Sequence, residues 1–141
     1  MNGIALSFLT MYGAGVLIAD DAPYRPTQEQ VEVATRAVAD LYSMYPKTLT
    51  EDLLIVFARY EDVQKACEGN GGCFRFRAGV VYVSLTPESH GNCVFRSVLT
   101  HELLHVAQWR FENFIDPDHR TLYWSTPLRK INTDLIDKHC P

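Results

Sequence analysis

No stretch of this 141-residue chain is an internal repeat or a low-complexity tract, and no cluster of Lys and Arg stands out in it. Its formal net charge is −4, which gives no electrostatic ground for a nucleic-acid partner. No uninterrupted apolar run reaches the ~20 residues a membrane-spanning helix needs, so no stable membrane anchor is expected. Cys-x-x-Cys spacing is missing as well, which argues against a structural zinc built from cysteines. What remains is the composition of an ordinary globular chain, long enough for one domain with a modest core.

The first nineteen residues carry no charged side chain, and residues 4–19 are largely apolar. That stretch resembles the apolar part of a secretory signal, with Gly13, Ala14, Gly15 and Ala19 ahead of Asp20 and Asp21. However, no Lys or Arg precedes it, and Leu17 is an imperfect partner to Ala19 at a cleavage site. A buried N-terminal strand or helix is the competing expectation. Residues 1–22 are therefore set apart as a signal-like or N-terminal apolar segment, and residues 23–141 as the functional domain. Cysteine usage bears on the same question. The four cysteines are Cys67, Cys73, Cys93 and Cys140. Cys67 and Cys73 flank the flexible run Glu68-Gly69-Asn70-Gly71-Gly72, which lets their sulfurs meet and leaves Cys93 for Cys140. Sequence alone leaves three connectivities open, and also four buried thiols in a reducing cytosol. A secreted or periplasmic protein is expected, with a cytoplasmic one as the alternative.

Residues 23–26 read as a linker. Thr27 with Gln30 makes a capping box, and Val31, Ala34, Val38, Leu41 and Tyr45 recur at helical spacing, so a helix is predicted over residues 28–44, ending before Pro46. Residues 53–60 form a short apolar, β-branched run that fits a buried strand. One or two helical turns over 61–68 follow. Phe74-Arg75-Phe76-Arg77 then alternates with period two, Ala78-Gly79 offers a turn, and residues 80–85 complete a hairpin. After a loop over 87–92, Asn92 is a candidate cap for a helix over 93–112, a span with neither Gly nor Pro. Asp116-Pro117-Asp118 marks a turn within 113–119, and Ser125-Thr126-Pro127 opens a last helix over 127–138. This order of elements predicts an α+β domain: a small sheet with a hairpin, packed against an active-site helix and flanking helices.

His101-Glu102-Leu103-Leu104-His105 falls on the long helix. Side chains four apart project from one face, one turn from each other, so both imidazoles can reach one metal ion at ~2.0–2.1 Å. Glu102 then lies beside the metal without ligating it, placed to take a proton from water and pass it to a leaving group. The five residues match the HExxH signature, and the chain resembles a minimal, single-domain zincin metallopeptidase. That resemblance implies Zn2+ as cofactor and peptide hydrolysis as the activity. It also implies an edge strand, here Phe74-Arg75-Phe76-Arg77, whose backbone receives an extended peptide or protein substrate. The plainer alternative for that strand is a sheet edge protected by Arg75 and Arg77.

A third ligand must come from elsewhere. The metzincin pattern is excluded, because Gln108 and Phe111 stand where it needs a Gly and a ligand. Glu112 is seven residues beyond His105, ~10 Å along the helix axis, and too far to share the ion. Asp116, Asp118, His119 and His139 remain. His119 is favoured: it follows the strong turn, and the segment from His119 to Leu128 resembles SprT-like metallopeptidases around their third His. Tyr123 is a candidate oxyanion donor, with plain core packing as its alternative. Trp109 and Trp124 read as packing around the site. Two rival functions remain: a deformylase-like enzyme, to which Gly72-Cys73-Phe74 bears only a faint likeness, and a catalytically inactive HExxH module acting as a binding or inhibitory protein.

Overall fold

Alternating strand residues sort onto two faces of one sheet, and the apolar ones decide what covers each face. A computed structural model describes residues 6–11 and 14–141, with side chains from residue 15 onward. In chain order the elements are β1 (Leu6–Met11), β2 (Ala14–Ala19), α1 (Gln28–Leu41), α2 (Pro46–Thr50), β3 (Leu54–Arg59), α3 (Tyr60–Ala66), β4 (Gly72–Arg75), β5 (Val80–Leu85), α4 (Pro87–His90), α5 (Leu99–Glu112) and α6 (Thr126–His139). Short 3-10 turns at Val94–Arg96 and Leu122–Trp124 precede the last two helices. The sheet order is β1-β2-β3-β5-β4. β2, β3 and β5 run parallel, while β1 and β4 are antiparallel edges. This is the expected α+β domain, a small sheet with a hairpin packed against helices.

Val16 and Ile18 of β2, Ile55 and Phe57 of β3, and Val81 and Val83 of β5 point to one face. There they form the main core with the apolar sides of α1 and α5. Ala58, Val63, Cys67 and Ala19 make a smaller cluster on the other face, covered by α3. The signal-like segment thus contributes β2, whose Val16, Ile18 and Ala19 are buried between β1 and β3. The remainder of that segment, residues 1–5 and 12–13, lies outside the described residues.

The capping box of α1 forms as its sequence dictates: Gln30 N donates to Thr27 Oγ1 (3.1 Å) and Thr27 N to Gln30 Oε1 (2.9 Å). The helix stops at Leu41, three residues short of the expected end, because Ser43 turns left-handed (φ +50°) and Met44 N returns to Ala39 O. β4 is also displaced from Phe74–Arg77 to Gly72–Arg75. Both amides of Ala78 and Gly79 fold back on Arg75 O, so Phe76 and Arg77 belong to the turn. Residues 93–112 are not one helix. Asn92 sits at φ +59° and caps nothing, and α5 begins at Leu99, whose amide donates to Ser97 Oγ.

Two disulfides pin these pieces. Cys67–Cys73 closes the Gly-rich loop between α3 and β4, and Cys93–Cys140 ties the approach to α5 to the end of α6. They suit an oxidising compartment. Among the described residues no helix is long and apolar enough to cross a membrane.

Candidate metal centre

His101, Glu102 and His105 lie in the first two turns of α5, whose other residues Leu99, Leu103, Leu104, Val106 and Ala107 are fully buried. The helix is therefore fixed from behind, and its histidine face opens on a cleft of about 500 Å³. Asn113, left-handed at φ +54°, ends α5 and turns the chain back. Two further left-handed residues, Asp116 and His119, tighten that return, and His119 N donates to Asp116 O at 3.0 Å. His119 is thereby brought to the other two imidazoles. One ring nitrogen from each of His101, His105 and His119 lies within 4.8 Å of the others, a trio able to hold a metal ion.

Ring chemistry narrows what this arrangement is for. A carbonyl only accepts, so His105 donates from Nδ1 to Ile115 O (2.9 Å), which leaves a lone pair on Nε2 of the neutral ring. That Nε2 stands 3.1 Å from Nε2 of His119. Two lone pairs at this distance repel unless a proton or a cation lies between them. Ligands at ~2.0–2.1 Å around one tetrahedral ion sit about 3.3–3.4 Å apart, close to what is seen. Burial, with His105 and His119 as neighbours, lowers His101 to about 4. Burial also lowers His105, against the opposing pull of its bond to Ile115. Both rings are neutral at pH 7, so no proton competes for the metal.

Glu102 is 5 % exposed, and burial pushes its carboxyl up to about 8. It faces β4. A Cβ on Gly72 would stand 3.1 Å from Glu102 Oε2, 3.1 Å from Tyr82 O and 2.5 Å from Val98 Cγ2. Only a residue without a side chain lets the strand lie this close to the carboxylate. The cleft is walled by residues Gly71 to Phe74 on one side and by Ile115, Pro117 and His119 on the other.

The other candidates have different places. Asp116 is 1 % exposed, with both carboxylate oxygens taken up by donors from Arg120, Thr121, Gln108 and Trp124. Burial alone would raise it, but these four hydrogen bonds hold it well below the usual carboxylate range. Asp118 is exposed and 3.5 Å from Arg120, and His139 packs on Phe95 at the end of α6. Neither belongs to the trio. Tyr123 does not line the cleft, and its ring packs on Tyr42 with centroids 4.6 Å apart. That contact places Tyr123 against the main core, the packing role weighed for it beside the oxyanion one. Sequence reasoning missed Gly72 and Gln108. The Gly71-Gly72 pair leading into β4 was the available signal for the first, whereas nothing local marks Gln108. Trp124, read as packing, contacts all three imidazoles, at centroid distances of 4.7, 4.5 and 4.4 Å. Compared with known proteins, the chain matches no family model, no curated protein and no solved structure.

Proposed function

We propose that this protein is a zinc-dependent hydrolase, and specifically a secreted or periplasmic peptidase of the zincin kind. The observation that carries this is the convergence of three imidazoles beside a buried carboxyl group that is not one of the trio. Three nitrogen donors and one open position are the donor set of a catalytic zinc. When bound by His101, His105 and His119, zinc would supply Lewis acidity and bring the pKa of water in its open position towards ~7. Glu102 is placed to act as general base towards water and to pass the proton on to the leaving amine. A dication held by the trio would oppose the effect of burial on Glu102 and favour the ionised carboxylate that a base requires.

The rim of the cleft supports a peptide as substrate. β4 is a sheet edge, and Ser84 N donates to Gly71 O (3.1 Å), which makes Gly71 and Ser84 a hydrogen-bonded pair. Antiparallel pairing alternates, so Gly72 and Phe74 turn their amides and carbonyls away from β5, towards open space. An extended chain added along this edge places its backbone beside Glu102 and the histidines. The two disulfides support export.

The test is stoichiometric. The metal-free protein is expected to take up one Zn2+, and His101→Ala, His105→Ala and His119→Ala should each weaken uptake at least tenfold. Zinc binding unchanged in all three variants would remove the basis of the proposal.

A further inference from the structure

The loop that carries His119 has no secondary structure of its own, yet its position sets the third donor. What fixes it is a single buried carboxylate. Asp116 Oδ1 accepts from Arg120 N (2.9 Å). Oδ2 accepts from Thr121 N (3.0 Å), from Trp124 Nε1 (2.7 Å) and from Gln108 Nε2 (3.3 Å). Gln108 Nε2 also donates to Thr121 Oγ1 at 2.7 Å. The amide of Gln108 is thus oriented by two acceptors on the loop, and its own Oε1 is left buried without a partner. A buried acceptor left unmatched is costly, and the bonds to Asp116 and Thr121 offset that cost and hold the amide in this orientation beside the Tyr42 side chain.

The network joins three parts of the chain: α5 through Gln108, the His119 loop through Arg120 and Thr121, and the 3-10 turn through Trp124. The Trp124 indole gives its N–H to Asp116 and packs its rings against His101, His105 and His119. Asp116 itself ligates nothing. We infer that Asp116, acting through Trp124 and Gln108, is the positioning residue of the metal centre, fixing His119 opposite His101 and His105 before metal arrives. This rests on the zinc-site proposal above. A residue that orients a ligand at second remove sets affinity and coordination geometry, commonly by about 10- to 100-fold.

Asp116→Asn is the sharpest change, since the side chain keeps its size but one oxygen becomes a donor facing donors. Trp124→Phe is milder: it deletes the Nε1–H and keeps a ring against the histidines. Each is compared with wild type for zinc affinity, by competition with a chelator, and for the visible spectrum of the Co2+ derivative. The spectrum reports coordination number and geometry and is not moved by a loss of fold stability alone. Asp116→Asn is expected to bind zinc at least tenfold more weakly and to lose the intense absorption of four-coordinate cobalt. Trp124→Phe is expected to bind at least threefold more weakly with an altered spectrum. If Asp116→Asn does not fold, Trp124→Phe decides. Variants that melt earlier but keep wild-type zinc affinity and cobalt spectrum overturn the inference. A wild type that takes up no zinc defeats instead the proposal beneath it.

Discussion

Gly72→Ala is a one-carbon change whose consequences follow from three distances. The added Cβ would stand 2.5 Å from Val98 Cγ2, and 3.1 Å from both Glu102 Oε2 and Tyr82 O. Carbon atoms in contact rest at about 3.5–4.0 Å, so strand and helix must part by roughly 1 Å at this point. Val98 immediately precedes α5, and its β-branched side chain has little rotamer freedom in which to retreat, so part of the shift passes to the helix that carries His101 and Glu102. Overpacking of this kind costs about 1–3 kcal/mol, which for a chain of this size lowers the melting temperature by several degrees. The loss of activity should be larger than the loss of stability, because a shift of 1 Å at a catalytic group can cost ~100-fold in rate. Thermal melts and turnover on an unstructured protein are measured for Gly72→Ala and for Gly72→Ala/Val98→Ala. Removing the Val98 methyl groups relieves the 2.5 Å clash and should restore the melting temperature. It leaves the approach to Glu102 crowded, so turnover should stay low. A single variant with wild-type melting and wild-type turnover would refute the steric argument, and so would a double variant that regains both.

Three other perturbations follow from the same geometry. In metal-free protein, burial raises Glu102 from 4.5 to about 8 and lowers His101 from 6.5 to about 4. The two slopes oppose each other between the ordinary values of these groups. Above pH 6.5 the folded state alone keeps the Glu102 proton, so stability should fall by up to about 1.4 kcal/mol per pH unit towards pH 8. Melts in chelator should show that decline in wild type and not in Glu102→Gln; a flat wild-type profile contradicts it. For the disulfides, loop lengths of 47 and 6 residues give stabilisations of about 4 and 2 kcal/mol in the chain-entropy model. Denaturant titrations should therefore find Cys93→Ser/Cys140→Ser the weaker fold, and equal losses for the two pairs contradict this. Deleting residues 1–19 removes β2 and with it the buried Val16 and Ile18. At ~1.5–3 kcal/mol for each side chain, much of a typical fold stability disappears. The shortened chain should give no cooperative unfolding transition, and a cooperative one would show that β2 is dispensable.

Local chemistry explains which parts were legible beforehand. The capping box at Thr27 and Gln30, the strand at β5, the turn after α5 and the His101-Glu102-His105 spacing all depend on residues within a few positions of each other, and each appears where its sequence implies. His119 was legible for a related reason: a strong turn leaves few places for the next imidazole to go. The errors are of two kinds. Some arise where two local signals compete. Asn92 has the side chain of a cap, but the 3-10 turn after Cys93 intervenes, and α5 begins only at Leu99 with Val98 as its N-cap. In the same way, the apolar run through Val16 and Ile18 suits a signal or a strand equally well, and its pairing with β3 comes from residues nearly forty positions away. Others arise from contacts with no local trace. Nothing near Asp116 tells that Gln108 and Trp124 will fill its carboxylate and so withdraw it from the list of ligands. Nothing near Tyr123 tells that its ring will pack on Tyr42.

The proposed division of labour at the centre, three histidines for the metal and Glu102 for the proton, is open to direct measurement. Wild type and Glu102→Gln are each loaded with one equivalent of Zn2+ and incubated with an unstructured protein at neutral pH. Wild type should hydrolyse it, and the variant should hold the same zinc while cleaving nothing, because the amide cannot accept the proton from water. Cleavage by the zinc-loaded variant at the wild-type rate, or no cleavage by the zinc-loaded wild type, would contradict the assignment.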